Sequence, residues 1–99
     1  MSESTHAHVV ISHAAGLHAR PSVKFTKLAK SYAARIELAT IEGGPWIDAK
    51  SIVKVMAAKA PHGSTLYIRA EGEDAPRALE ALIALVERNF DEDDHAPAT

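Results

Sequence analysis

Two stretches of the chain alternate apolar and polar residues with a period of two, and this pattern constrains the fold most. Arg35–Ile41 alternates throughout, and Thr65–Ala70 repeats the pattern with Leu66, Ile68 and Ala70 on one side. Successive side chains of a strand point to opposite faces, so each of these strands has one buried face and one face in water. They predict a sheet that is covered on one face only.

Two other stretches carry apolar residues at the helical spacing i, i+3, i+4, i+7. In the first, over residues 19–32, the apolar stripe consists of Phe25, Leu28, Ala29 and Tyr32. In the second, over residues 75–89, it consists of Leu79, Leu82, Ile83, Val86 and Phe90. Gly72–Asp74 interrupts the preceding strand, and we expect Asp74 to cap the last helix with Pro76 in its first turn.

The remaining elements are shorter. His8–Ser12 is a β-branched strand candidate, and Glu42–Pro45 is a turn that returns the chain into a strand over Trp46–Ala49. Ser51 is the expected N-cap of a short helix, one side of which carries Ile52, Val55 and Met56. The order β-α-β-β-α-β-α predicts an α+β open-faced β-sandwich, in which three helices cover one face of a four-stranded antiparallel sheet.

Length and composition limit the function further. The 99 residues predict one domain with a core over about 6–90, loose residues 1–6 and a disordered acidic tail over 91–99. A net charge of −2 argues against nucleic acid as the main partner, and the chain has no cysteine for a disulfide or a thiolate. No apolar run approaches the roughly 20 residues that span a bilayer, and the start is unlike a signal peptide, so we expect a cytoplasmic protein without membrane insertion.

One of the six histidines stands where a loop meets a helix. His18 precedes the predicted helix, with Pro21 in its first turn and Arg20 two residues further on. The unpaired N–H groups and positive dipole end of a helix favour a neutral imidazole, which is a nucleophile, and they bind an anion placed on it. Arg20 can reach the same anion with its guanidinium group. The arrangement favours phosphoryl transfer.

The segment Gly16–Pro21, Gly-Leu-His-Ala-Arg-Pro, closely resembles the active-site motif of HPr, the histidine-containing phosphocarrier protein of the bacterial phosphoenolpyruvate-dependent phosphotransferase system. Ala49–Met56 is similar to the regulatory-serine segment of that family, and Ala70–Ala75 to its approach to the last helix. The resemblance extends from about residue 6 to about residue 90. Two departures, Lys54 where some members have glycine and a slightly long hairpin around Glu42–Trp46, bear on partner choice.

The resemblance implies the roles of individual residues. His18 would be phosphorylated on Nδ1 with Arg20 stabilising the phosphate, while Enzyme I would be the donor and a histidine of an EIIA protein the acceptor. Ser51 would be the target of HPr kinase/phosphorylase. The family needs no cofactor, and we expect a monomer that is a phosphoryl-group carrier, not a turnover enzyme.

Docking residues follow from position and chemistry. The helix after Ser51 is too short to bury every side, so an apolar remainder among Ile52, Val55 and Met56 would suit a partner interface. A basic rim for acidic partners would comprise Lys24, Lys27 and Lys54.

Four alternatives stay open. The same chemistry could serve a regulatory, nitrogen-related branch in place of sugar uptake, or His18 could act in a small hydrolase. His6, His8 and His13 lie close enough for metal binding, although no cysteine or carboxylate completes a ligand set and His6 and His8 fall near the loose end. An RNA-binding module would need exposed aromatic residues and a basic face, which five aromatic residues and the charge of −2 do not favour.

Overall fold

The computed structural model describes residues 4–12, 16–17 and 19–91. Four strands and three helices follow one another as β1 (Ser4–Val10), α1 (Ala19–Lys30), β2 (Arg35–Ala39), β3 (Ile47–Asp48), α2 (Ile52–Ala58), β4 (Thr65–Glu71) and α3 (Ala75–Glu87). A 3-10 turn over Asn89–Asp91 follows α3. Residues 1–3, 13–15, 18 and 92–99 lie outside the described part of the chain. The predictions for the loose residues 1–3, for His13 and His18, and for the tail over 92–99 therefore fall outside it as well.

The strands form one antiparallel sheet in the order β1-β4-β2-β3, with the three helices on one face. The predicted α+β open-faced sandwich is therefore confirmed. In β4, Leu66, Ile68 and Ala70 are buried as the alternation predicts, while the residues between them are half-buried. The core that joins sheet and helices is made of fully buried side chains, among them Phe25, Ile36, Leu38, Val55, Leu66, Ile68, Leu82, Val86 and Phe90.

Strand β1 differs most from its prediction. The strand begins at Ser4 and ends at Val10, so the expectation that residues 4–6 are loose is wrong. The whole strand pairs with β4, from Ser4 opposite Glu71 to Val10 opposite Thr65. The pairing partner lies about 60 residues away in sequence, which is why local hydropathy gave no indication of it.

The ends of several other elements differ from their predicted positions by one or two residues. Helix α1 stops at Lys30, and Tyr32 follows it in a tighter turn in which its N–H donates to the Ala29 carbonyl oxygen at 3.2 Å. Strand β2 ends before Thr40, and β3 keeps only Ile47 and Asp48 of the four residues predicted. Asp91, placed in the tail by the sequence, belongs to the 3-10 turn.

Asp74 occupies the N-cap position of α3, but its carboxylate does not cap that helix. Its two oxygens accept hydrogen bonds from the N–H groups of Ala33 and Ala34, at 2.9 and 2.8 Å. The predicted capping by this side chain is wrong: the carboxylate bonds two amides in the turn after α1 and none in α3. Asp74 instead joins the start of α3 to the entry of β2.

Candidate functional site

The predicted nucleophile, His18, lies outside the described residues, but both of its neighbours are described. On one side, Leu17 is buried and its N–H donates to the carbonyl oxygen of Ala60 at 2.8 Å. On the other side, Ala19 is the first residue of α1. Helix α1 therefore begins at the residue that follows His18 in the sequence, as the sequence predicts.

Gly16 is fixed by the same loop. Its φ is +74°, a conformation that favours glycine, and a Cβ at this position would lie 2.6 Å from the Ala60 oxygen and 2.9 Å from the Pro61 Cα. Because both neighbours are backbone atoms, no side-chain movement can relieve the overlap. The sequence requires glycine here so that the two loops can approach.

The first turn of α1 presents chemistry for an anion. Pro21 is buried in the first turn, where the absence of its N–H costs nothing, and the Arg20 side chain is exposed. The backbone N–H groups and the dipole of a helix create positive potential at its N-terminus, which here is Ala19, the residue that follows His18 in the sequence. This chemistry suits an anion, and the roles of His18 and Arg20 toward it stay predictions.

Three further hydrogen bonds hold the start of the segment between β1 and α1. The Ile11 N–H donates to the Ser64 oxygen at 2.9 Å, and the Gly63 N–H donates to the Ile11 oxygen at 2.8 Å. The Ser12 hydroxyl donates to Oδ1 of Asn89 at 2.8 Å. The segment 60–64 and the 3-10 turn therefore hold both ends of the loop, an arrangement that the sequence analysis did not predict.

The 3-10 turn contains an ion pair. Arg88 Nε donates to Asp91 Oδ1 at 2.8 Å, and this hydrogen bond raises the pKa of the Arg88 guanidinium and lowers the pKa of the Asp91 carboxyl. The positive charge of Lys24, on α1, lowers the pKa of Asp91 further. Lys24 of the predicted basic rim thus faces an acidic residue of the same chain.

Ser51 caps α2 as predicted. Its φ of −104° and ψ of 112° are extended, and its hydroxyl accepts from the Lys54 N–H at 3.3 Å. The Nζ of Lys50 donates to the Tyr32 carbonyl oxygen at 2.7 Å, which connects the start of α2 to the turn after α1. Ser51 itself is half-buried.

The predicted docking residues divide between core and surface. Val55 is fully buried, so its place in a docking surface is wrong: the inner face of α2 needs it for the core. Ile52 is half-buried, Met56 is 42% exposed, and Lys27 and Lys54 are exposed. Sequence reasoning missed Val53, which is 74% exposed, and Val23 on α1, which is 50% exposed.

One groove lies between α1 and α2. Its volume is about 230 Å³, and it is lined by Val23, Thr26, Lys27, Lys30 and Ile52. We refer to the groove residues Val23, Lys27 and Ile52, together with the exposed Val53 and Met56 of α2, as the α1–α2 surface. Its apolar side chains next to lysines would fit a partner with an apolar, acidic contact region.

Comparison with known proteins identifies the family. Residues 5–88 match the family described as the PTS HPr component phosphorylation site. The chain is 40% identical over 77 residues to the phosphocarrier protein HPr of Cupriavidus necator, and the match covers 78% of this chain and 84% of that protein. The chain belongs to the HPr family. Its members are phosphocarriers of the phosphotransferase system, as the resemblance implied.

Two further members extend the comparison. The chain is 35% identical over 85 residues to the phosphocarrier protein NPr of Proteus mirabilis, with 86% of this chain and 93% of that protein covered. The crystal structure of HPr-C-His from Thermoanaerobacter tengcongensis superimposes with a TM-score of 0.82 at 30% identity, over 90% of this chain and 98% of that one. The comparison of structures and the comparison of sequences therefore identify the same family.

Two other predictions concern a metal site at the histidines and the absence of membrane insertion. Within residues 4–12, 16–17 and 19–91, no group of three histidine or acidic side chains converges to hold a metal ion. His6, however, stands within β1 and not in a loose end, so one reason given against a metal site is wrong. In the same part of the HPr-family chain, no helix combines the length and the apolar character needed to cross a bilayer.

Proposed function

We propose that this protein accepts a phosphoryl group from phosphorylated Enzyme I on Nδ1 of His18 and passes it to a histidine of an EIIA protein in the cytoplasm. The observation that carries the proposal is the start of α1 at Ala19, directly after His18 and within the family match. The lone pair of Nδ1 attacks phosphorus while the bond to the donor breaks. The N–P bond breaks in turn when the acceptor histidine attacks.

The helix terminus explains why the transfer can proceed in both directions. Before transfer, the positive end of α1 disfavours a second positive charge, so the imidazole keeps the lone pair it needs. After transfer, the N–H groups of the first turn and the Arg20 guanidinium stabilise the phosphoryl oxygens. Because the helix supports each state, the site can hold the group until an acceptor arrives.

The test is phosphorylation of the purified protein by Enzyme I and labelled phosphoenolpyruvate. Wild type is expected to gain one acid-labile phosphoryl group, and His18→Ala is expected to gain none. His8→Ala, which removes an exposed histidine of β1 on the face of the sheet away from the helices, is the matched control and should label like the wild type. Undiminished labelling of His18→Ala would overturn the proposal. Rapid loss of the label in buffer without an acceptor would favour the hydrolase alternative.

We further propose that Enzyme I and the EIIA protein both dock on the α1–α2 surface. This surface includes Val23, in the second turn of α1, and exposes apolar side chains, Val53 most of all. Lys27 adds positive charge to it, and Lys24, which interacts with Asp91, lies on the same helix. The predicted rim residue Lys54 lines the groove on the other side of α2, beside Trp46. One surface used in turn by two partners suits a carrier that must meet each of them.

Ser51 is the proposed regulatory site for HPr kinase/phosphorylase. A phosphate on its hydroxyl would place about two negative charges beside Ile52 and Lys54, on the proposed docking surface. We expect Ser51→Asp to slow phosphorylation of His18 by Enzyme I through repulsion of an acidic partner. The control is Arg77→Gln, which makes the same change in net charge at an exposed position of α3. Equal rates in Ser51→Asp and wild type would remove the proposal.

A regulatory, nitrogen-related branch is the second candidate, favoured by the likeness to the NPr of Proteus mirabilis. The branches differ in the acceptor and not in the chemistry of His18. Offering the phosphorylated protein equal amounts of a sugar-type and a nitrogen-type EIIA would separate them. The faster acceptor assigns the branch.

A further inference from the structure

The free edge of β1 is the feature of the fold that the proposed function does not use. Among the described residues, β1 pairs with β4 on one side and with no strand on the other. Its seven residues, Ser4–Val10, include no charged residue and no proline, which are two of the features that protect an edge strand from pairing. The opposite edge, β3, has only two residues.

The backbone pattern identifies which residues of β1 face that edge. Hydrogen-bonding residues alternate along an antiparallel strand, and the Ile11 N–H donates toward β4, to the Ser64 oxygen. Counting back by twos, Ala7 and Val9 also face β4, whereas His6, His8 and Val10 direct their N–H and C=O groups outward. The outward groups are the ones that a further strand would bind.

His6 and His8 also share one face of the sheet. Both side chains are exposed on the face away from the helices, with the ring centroid of His6 6.5 Å from that of Trp46 and the ring of His8 6.1 Å from that of Tyr67. Two histidines at i and i+2 on a strand are separated by about 6.6 Å at their Cα atoms. One chain thus offers two imidazoles, and no third ligand among the described residues joins them.

We propose that a second copy of this chain pairs antiparallel with the edge of β1 and that a divalent zinc-type cation bridges the two copies. Pairing over the full length of β1 sets Ser4 opposite Val10 and His6 opposite His8 of the other copy. The four imidazoles then lie on one face of a continuous sheet, around the two-fold axis at Ala7. The site is incomplete without the second copy.

The spacing suits tetrahedral zinc. Cross-strand residues that exchange hydrogen bonds have Cα atoms about 5.5 Å apart, so the four histidines stand at the corners of a rectangle of about 5.5 by 6.6 Å. Imidazoles extending from these corners can converge on one ion at about 2.0 Å per nitrogen. Because β1 has no charged residue, pairing it with the same strand of a second copy brings no like charges together. One ion per two chains is the implied stoichiometry.

The experiment is a titration of the full chain, free of affinity tags, with zinc ions at neutral pH, followed by sedimentation velocity. We expect a monomer without metal and a dimer that is complete at half an equivalent of zinc and is reversed by a chelator. His8→Gln, which keeps the backbone N–H but removes a ligand, should abolish the zinc-dependent dimer. His62→Gln, at an exposed position outside β1, should dimerise like the wild type.

Amide hydrogen exchange tests the geometry independently. On addition of zinc, the His6 and His8 amides should become protected, whereas the Ala7 amide, already bonded to β4, should change little. A chain that stays monomeric at all zinc concentrations would overturn the proposal. Dimerisation that leaves the His6 and His8 amides unprotected would overturn it as well, because the contact would then lie elsewhere.

Discussion

The N–H of Leu17 donates to the carbonyl oxygen of Ala60 at 2.8 Å, and this bond fixes the chain one residue before the proposed nucleophile. Leu17 is buried, and Gly16 approaches the backbone of Ala60 and Pro61 more closely than any other residue type could. The segment that follows β1 is thereby tied to the segment that precedes β4. Gly16 and Leu17, which precede position 18 in the sequence, are therefore held by tertiary contacts, and Ala19, which follows it, is held by α1.

Gly16→Ala tests this relationship. Its Cβ would meet the Ala60 oxygen at 2.6 Å, so we expect an overpacking cost of about 1–3 kcal/mol beyond the cost of the positive φ. Phosphorylation by Enzyme I should slow as well. The matched control is Gly63→Ala, with φ of +88° and no atom within 4 Å of the added Cβ, which isolates the conformational cost of about 1–2 kcal/mol. Equal free energies of unfolding for the two variants would contradict the steric argument.

Ser22→Ala is expected to stabilise the protein. The Ser22 hydroxyl lies in the core on α1 with no hydrogen-bond partner among the described residues, and Ala is also the better helix former. Removal of an unsatisfied buried hydroxyl should raise the free energy of unfolding by about 1–2 kcal/mol in urea denaturation. Ser31→Ala, whose exposed hydroxyl donates to the Leu28 oxygen at 2.6 Å, is the control and should give no gain. A destabilised Ser22→Ala would show that this hydroxyl is bonded in solution.

The Arg88–Asp91 pair gives a pH dependence of known sign. Because the hydrogen bond from Arg88 lowers the pKa of Asp91 in the folded chain, the stabilisation is present above the ordinary pKa of aspartate. It is lost as the pH falls through the lowered pKa. An NMR titration of the Asp91 carboxyl carbon should show a midpoint that rises toward the ordinary value in Arg88→Gln. Added salt should also reduce the lowering of the Asp91 pKa in the wild type, since both groups are exposed. An unchanged midpoint in the variant would reject the assignment.

Asp74→Ala should destabilise the junction between α1, β2 and α3. The substitution leaves the Ala33 and Ala34 amides without their acceptor, and Ala34 is buried. Loss of hydrogen bonds to a carboxylate predicts a cost of about 2–3 kcal/mol. Asp74→Asn, which keeps one acceptor oxygen, should recover part of it. If the role were only helix capping, hydrogen exchange would rise in the first turn of α3 and not at Ala34.

The sequence predicted the fold where the pattern is local. The alternation in β4 and the stripe on α3 identify their inner faces, because every second or every third to fourth residue meets the same core. Ser51 was identified as a cap for the same reason: its hydroxyl bonds an amide three residues away. In these cases, the residues that decide the structure are neighbours in sequence.

Prediction failed where a distant partner decides the structure. Ser4, Thr5 and His6 are polar, yet they form a strand because β4 offers them a paired edge. The Asp74 carboxylate has amides available nearby in α3 but bonds the chain 40 residues earlier. In the candidate site, periodicity placed Val55 and Met56 on one side of α2, but the packing of α2 buries only the first.

A pair of variants on α2 separates docking from packing. Val53→Glu places a charge on the most exposed apolar residue of the α1–α2 surface. It should therefore raise the KM for phosphoryl transfer from Enzyme I several-fold or more. The free energy of unfolding should stay within about 0.5 kcal/mol of the wild-type value. Val55→Ala, at a fully buried position, should cost about 2 kcal/mol of stability and leave the KM of the folded protein nearly unchanged. Steady-state phosphorylation and urea denaturation of both variants decide the question. If Val53→Glu left the KM unaltered, Enzyme I would have to dock on another face, because a carboxylate in an apolar contact cannot be accommodated without loss of affinity.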